Sequence, residues 1–144
     1  MPNHKKVISF PPPAKWSFRD YKDGEANRIE EWYETLSEEA QDNFDTLLKN
    51  TSKIQNHLLW GGFKYLKGDA KRERLWQLDF IADRRQYRLL GVFQPGKHAA
   101  LILGCYHKGD NYTPRDAIET ACKRAKALRE GRATTDERTI REDI

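Results

Sequence analysis

Between residues 74 and 106 lie three extended-looking stretches separated by very short interruptions, and this spacing constrains the fold more than anything else in the chain. Arg74 to Ile81 sets Trp76, Leu78 and Phe80 against Gln77 and Asp79. Gln86 to Gln94 sets Tyr87, Leu89 and Phe93 against Arg88, Leu90 and Val92. Alternation of this kind is the period of a β-strand. The third stretch, Ala99 to Tyr106, is almost wholly apolar, as a central strand covered on both faces requires. Asp83-Arg84-Arg85 and Pro95-Gly96-Lys97 have the length and residue types of hairpin turns, so the three strands form an antiparallel meander.

The flanking segments supply one more strand and the helices. Lys15 to Tyr21 alternates, with Trp16 and Phe18 on one face, and Asp23-Gly24 ends it. Ile29, Trp32, Tyr33 and Leu36 recur at helical spacing; Ser37-Glu38-Glu39 then reads as a new helix start, with a capping serine and acids in the first turn. Phe44, Leu47 and Leu48 continue the second stripe toward Ile54, which predicts a helix hairpin over 25–36 and 38–55. Thr113-Pro114-Arg115-Asp116 reads as a capped start with proline at the first helical position. Ala117, Ile118, Ala121, Cys122, Ala125 and Leu128 follow as a narrow stripe of mostly small residues suited to lying close on a sheet, and Gly131 ends the helix. Residues 1–13, with three consecutive prolines, read as an irregular N-terminal arm, 14–131 as the domain, and 132–144 as a charged, mobile C-terminal tail.

Composition excludes several classes. The chain has 144 residues, enough for one domain with one core, and sixteen aromatics argue against disorder despite 33% charged residues. No apolar run reaches the ~18–20 residues of a membrane span, and the N-terminus lacks the features of a signal peptide. Cys105 and Cys122 are too few for a disulfide framework or a zinc site, and read as small buried thiols in a reducing cytoplasm. The net charge of +4 conceals a polarity: Asp20–Asp45 carries ten acids against two bases, whereas Gly61–His98 carries nine bases against four acids. One region repels polyanions and another attracts them, which suits an oriented surface for nucleic acid or for an acidic partner.

No phosphate-binding glycine loop, metalloprotease helix or serine-nucleophile elbow occurs. A basic set surrounds the meander, with Lys64, Lys67, Lys71, Arg72, Arg74, Arg84, Arg85 and Arg88 before Tyr106-His107-Lys108 at the end of the last strand. Arg88 sits in mid-strand, where a guanidinium must reach solvent, a carboxylate or a cleft. It either pairs with Asp79 on the neighbouring strand or clamps a phosphate. His107 has the pKa range needed for proton transfer at neutral pH. Metal-free RNA cleavage needs a base for the ribose 2′-OH, an acid for the departing 5′-oxygen and cations for the phosphate, which His, Arg and Lys supply. His4, His57 and His98 read as surface residues, and Trp32, Trp60 and Trp76 as core.

The order strand, helix hairpin, meander, helix resembles the RelE/ParE toxin superfamily, and the motifs resemble its phage-derived HigB-like branch of type II toxin–antitoxin systems. Four stretches carry the likeness: Phe63-Lys64-Tyr65-Leu66-Lys67-Gly68; Leu75-Trp76-Gln77-Leu78-Asp79; Gln86-Tyr87-Arg88-Leu89-Leu90; and Cys105-Tyr106-His107-Lys108 with Thr113-Pro114 and Ala121-x-x-Arg124. The sequence departs from the pattern at Asp79, where the family has arginine, at Gln77, where it often has glutamate, and at His107-Lys108, where it has paired lysines.

The resemblance implies an α+β, RelE-like fold, with a four-stranded, mainly antiparallel twisted sheet, an N-terminal helix hairpin and a C-terminal helix. It implies a cytoplasmic toxin that cleaves mRNA on the ribosome without metal or other cofactor and is neutralised by a helix-turn-helix, HigA-like antitoxin. Arg88, His107 and Tyr106 take the catalytic positions; Lys64, Lys67, Lys108 and Arg85 face RNA. Two other readings share the fold: a non-enzymatic module that binds an antitoxin or host protein, and a gyrase-poisoning toxin.

Overall fold

The structure is a computed structural model that describes residues 5–10, 14–108 and 111–143. In chain order the strands are β1 (Lys5–Ile8), β2 (Ser17–Asp23), β3 (Ala26–Asn27), β4 (Lys64–Tyr65), β5 (Trp76–Ala82), β6 (Arg85–Gln94), β7 (His98–Lys108), β8 (Asn111–Thr113), β9 (Thr134–Glu137) and β10 (Ile140–Asp143). The α-helices are α1 (Arg28–Tyr33), α2 (Glu38–Ser52), α3 (Asp69–Arg72) and α4 (Ala117–Arg129), with a 3-10 turn at His57–Leu59. Of the arm expected over 1–13, residues 1–4 and 11–13 lie outside the described residues.

The meander forms as the sequence predicts: β5 pairs antiparallel with β6, and β6 with β7. Asp83 and Arg84, both at positive φ, make the two-residue turn between β5 and β6, a geometry whose twist matches that of the flanking strands. The sheet around this meander corrects the expected architecture. It has eight strands rather than four and is mixed, in the order β3-β2-β7-β6-β5-β4, with β8 on β7 and β9 on β2; β2 runs parallel to β7. A separate ribbon joins β1 to β10.

The helix hairpin is corrected as well. The predicted 25–36 arm shrinks to the six residues of α1, because Ala26 and Asn27 are drawn into β3 and Asn27 caps the helix by accepting from the Glu30 amide. Among the described residues there are four α-helices, and α4 is followed by β9 and β10 and so does not end the fold. Its start lies later than predicted, since Thr113 belongs to β8 and Asp116 occupies the cap position. The added strands are two to four residues long or polar, too short or too charged to carry a readable period of two.

The sheet separates two apolar layers. On one face α1 and α2 bury Ile29, Tyr33, Phe44 and Leu48 against Phe18, Trp76, Leu78, Leu89 and Leu101. On the other, Ala117, Ala121 and Ala125 of α4 lie on Leu90, Ile102, Leu103 and Cys105. An irregularity in β7 links the layers: Leu90 pairs with Leu103 but Gly91 pairs with Leu101, so Ile102 is an extra residue, a β-bulge. Ala99 and Leu101 face the α1–α2 layer; beyond the bulge the parity reverses, and Leu103 and Cys105 face α4.

The segment read as a mobile tail is tied into the core by Arg138, which is 4% exposed. Its guanidinium donates to Asp20 at 3.0 Å and to Glu30 at 2.7 Å and lies over the rings of Tyr33 and Phe44. Removing one partner of a buried pair strands the other charge. Arg138→Ala is therefore expected to lower stability by about 3–5 kcal/mol in urea denaturation. Beside it, Asp45 accepts from the Tyr33 hydroxyl at 2.6 Å, and burial raises the carboxyl pKa of Asp45, as it does that of Asp20. A carboxyl whose pKa is higher folded than unfolded contributes stability that is complete below the unfolded value and lost as pH rises through the folded one. In urea titrations between about pH 4 and pH 8, the stability of the wild type relative to Asp45→Asn is expected to increase as pH falls.

Candidate functional site

The pleat of β6 and β7 sorts the predicted site residues into two groups. Register sets Asp79 opposite Arg88 and Arg88 opposite Cys105, with Gln86 opposite His107. Directly opposed residues share a face, as do residues two apart on one strand. Arg88 and His107 are therefore on the same face, the one that carries α4. Tyr106 is opposite Tyr87, on the α1–α2 face, and its ring lies 5.8 Å from that of Tyr87. The Arg85 guanidinium is 4.5 Å from the Tyr106 ring centroid, so Arg85 belongs with Tyr106 and not with Arg88. The structure brings together two of the three predicted catalytic residues and separates the third from them.

Lys64 is exposed and pairs with Gln77, which puts it on the Arg88 face. Lys67 is exposed in the loop after β4. The Lys108 side chain lies outside the described residues.

Around Arg88 the face is polar. The side chains of Arg88 and Asp79 are 13% and 21% exposed, with Arg88 Nε 4.0 Å from Asp79 Oδ1. That is contact at the outer limit of an ion pair, and Arg88 Nε, itself buried, makes no hydrogen bond. Asp79 accepts from Gln86 Nε2 at 3.0 Å and from Gln77 Nε2 at 3.2 Å. Burial raises the Asp79 pKa; Arg88, the Gln86 hydrogen bond, Lys64 and His107 pull it down without prevailing. The carboxyl thus holds its proton more readily than a solvated aspartate does.

Tyr112 completes the face. Strand β8 pairs it with His107, the two rings 4.3 Å apart and near perpendicular, and the Arg88 guanidinium is 5.9 Å from its centroid. Cys105 is fully buried beneath Arg88, and burial pushes its thiol up to about 12, so it is a neutral filler and not a nucleophile.

Sequence reading missed Gln77, Gln86 and Tyr112. For the two glutamines a signal existed, since 77, 79, 86 and 88 are the polar half of the alternation that defined the strands. Tyr112 gave none, because its strand is three residues long.

The arrangement holds a guanidinium, an imidazole and a carboxyl of raised pKa on one face of the sheet, which suits binding a phosphate and moving protons beside it. Among the described residues no group of three or more His, Cys, Asp or Glu side chains could hold a metal ion, and no helix is long and apolar enough to cross a membrane.

No curated protein and no solved structure matches the chain. Residues 31–126 match the family described as phage-derived protein Gp49-like (DUF891). The match runs from α1 into α4 and takes in Asp79, Arg88, His107 and Tyr112, so this polar face belongs to the family's shared region. The chain belongs to the phage-derived Gp49-like family, a RelE/toxin-like family of toxin–antitoxin systems.

Proposed function

We propose that this protein is the toxin of a type II toxin–antitoxin pair, and that it is a HigB-like endoribonuclease that cleaves mRNA on the translating ribosome. The observation that carries the reading is the common face of Arg88, His107 and Asp79, with a buried guanidinium nitrogen left without a hydrogen bond. In the reaction the ribose 2′-oxygen attacks phosphorus and the bond to the 5′-oxygen breaks. A 2′,3′-cyclic phosphate and a 5′-hydroxyl result, with one proton removed and one delivered. Arg88 stabilises the charge on the phosphate. His107 and Asp79 are the two proton-transfer groups, and Tyr112, packed on His107, orients it in place of Tyr106, which the resemblance had put among the catalytic residues. Lys64, Lys67 and Lys108 draw the RNA in, an attraction that weakens with salt. A helix-turn-helix antitoxin of the HigA type is the partner that restrains the activity.

One observation favours a second reading. Asp79 lies beside Arg88 where a phosphate would bind, and two glutamines hold it there. A carboxylate that fills the anion site makes the chain a binding module without catalysis.

Mapping mRNA ends in bacteria that express each variant separates the two. The wild type is expected to produce new 5′-hydroxyl ends, and Arg88→Ala to reduce them about 10²–10³-fold, the loss typical when one charge-stabilising donor is removed. No new ends from the wild type would refute the nuclease reading; equal cutting by both would remove Arg88 from the mechanism. Asp79→Asn is expected to lower cleavage, and a rise would identify the carboxylate as a plug.

A further inference from the structure

On the opposite side of the same strand ends lies a cleft of about 330 Å³ whose walls include Trp32, Asp83, Arg85, Tyr87 and Tyr106. We propose that this cleft binds one unpaired nucleobase carrying an exocyclic amino group, a neighbour of the phosphate held at Arg88; in this it rests on the RNA-cleaving reading.

The cleft is made of flat surfaces. Trp32 lies against the strand backbone at Gly104, where an added Cβ would collide with the indole ring. The Trp32 and Tyr87 rings are 6.2 Å apart and those of Tyr87 and Tyr106 5.8 Å apart, and the Arg85 guanidinium covers Tyr106 at 4.5 Å. Trp32 and Tyr106 are only half-buried and Arg85 is exposed, so planar groups remain open to solvent in a concave site. Unpaired bases are held by stacking on aromatic rings and on arginine planes.

Asp83 gives the cleft its polarity. It is exposed, at the β5–β6 turn, and its Oδ2 accepts from the hydroxyls of Ser37 and Tyr87. Its backbone N–H donates to Glu39, which fixes the turn to the first turn of α2. A carboxylate accepts and does not donate. Adenine, guanine and cytosine offer amino hydrogens; uracil offers one N–H flanked by two carbonyl oxygens that a carboxylate repels.

The turn is also what joins the two faces. Tyr106 precedes His107 and Arg85 precedes Gln86, and in each pair the side chains point to opposite sides of the sheet. Exposed Arg84 and Arg85 line the turn with positive charge. A single strand that rounds this end places a phosphate at Arg88 and an adjoining base in the cleft.

The test uses the purified chain and ¹⁵N-resolved indole signals, with Trp32 assigned from Trp32→Phe. AMP, GMP and CMP are expected to shift the Trp32 signal, UMP to bind at least about fivefold more weakly, and ribose 5-phosphate to leave it unmoved. Arg85→Gln combined with Tyr106→Leu is expected to weaken AMP binding about tenfold. Asp83→Asn, tolerated at φ 52° because asparagine readily adopts that conformation, is expected to keep the stacking and lose the discrimination against UMP. A Trp32 signal unmoved by every nucleotide, or moved equally by ribose 5-phosphate, overturns the proposal, as does a shift seen only with a protein partner. Unchanged AMP binding in the Arg85/Tyr106 variant overturns it too. Base binding without new mRNA ends leaves the cleft standing and sinks the nuclease reading alone; new ends without base binding do the reverse.

Discussion

One extra residue in β7 decides which side chains can act together. Before the bulge at Ile102, odd-numbered residues of β7 face α1 and α2; after it they face α4. Without that insertion His107 would lie under the α1–α2 layer and Tyr106 would face Arg88. Because the side-chain period is two, a single residue flips everything beyond it. The bulge therefore does more than relieve the ladder. It pairs the imidazole with the guanidinium and sends the phenol to the opposite cleft, so that two different surfaces meet at the end of one hairpin.

The helices then determine which parts of each face stay open. Ala117, Ala121 and Ala125 let α4 lie close over Leu90, Ile102 and Leu103, and this seals the middle of that face. Beyond the alanines the polar row grades outward: Gln77 is buried, Asp79, Arg88 and His107 are partly covered, and Gln86 is exposed. On the other face α1 spans only six residues, so its Trp32 is half-buried at the margin of the core and not enclosed by it. The Arg138 network holds α1 and β2 together from below, through Glu30 and Asp20. A short helix with a buried charge at its base is thus fixed in place without extra length to cover the sheet end.

The meander, the Ser37-capped helix and the alanine stripe of α4 were legible because each is a long segment with an unambiguous period and a turn or cap at its boundary. The rest of the sheet was not. β3, β4 and β8 are two or three residues long, and β9 and β10 consist mostly of polar residues whose place is set by a long-range contact from Arg138 to Asp20. Of the candidate site, the Arg88–Asp79 opposition was one of the two placements that the strand order left open to Arg88, and the structure makes it across a turn of two residues, Asp83 and Arg84, where three were expected. The split between Tyr106 and His107 follows from the pleat alone, but their assignment to particular faces depends on the bulge. No residue in Leu101-Ile102-Leu103 marks it, since all three are apolar and fit either face.

The Asp79–Arg88 pair gains meaning from how poorly it is made. A tight buried pair would depress the carboxyl pKa and cancel the guanidinium's charge. Here the separation is 4.0 Å and desolvation outweighs the cation, so the Asp79 pKa is raised. On the nuclease reading this mismatch has a direction. A phosphate that binds Arg88 brings a second negative charge next to Asp79, and like charges in a partly desolvated site push a carboxyl further toward its protonated form. On that reading substrate binding converts the competing anion into a proton donor, and His107 is left to take the proton of the ribose 2′-hydroxyl.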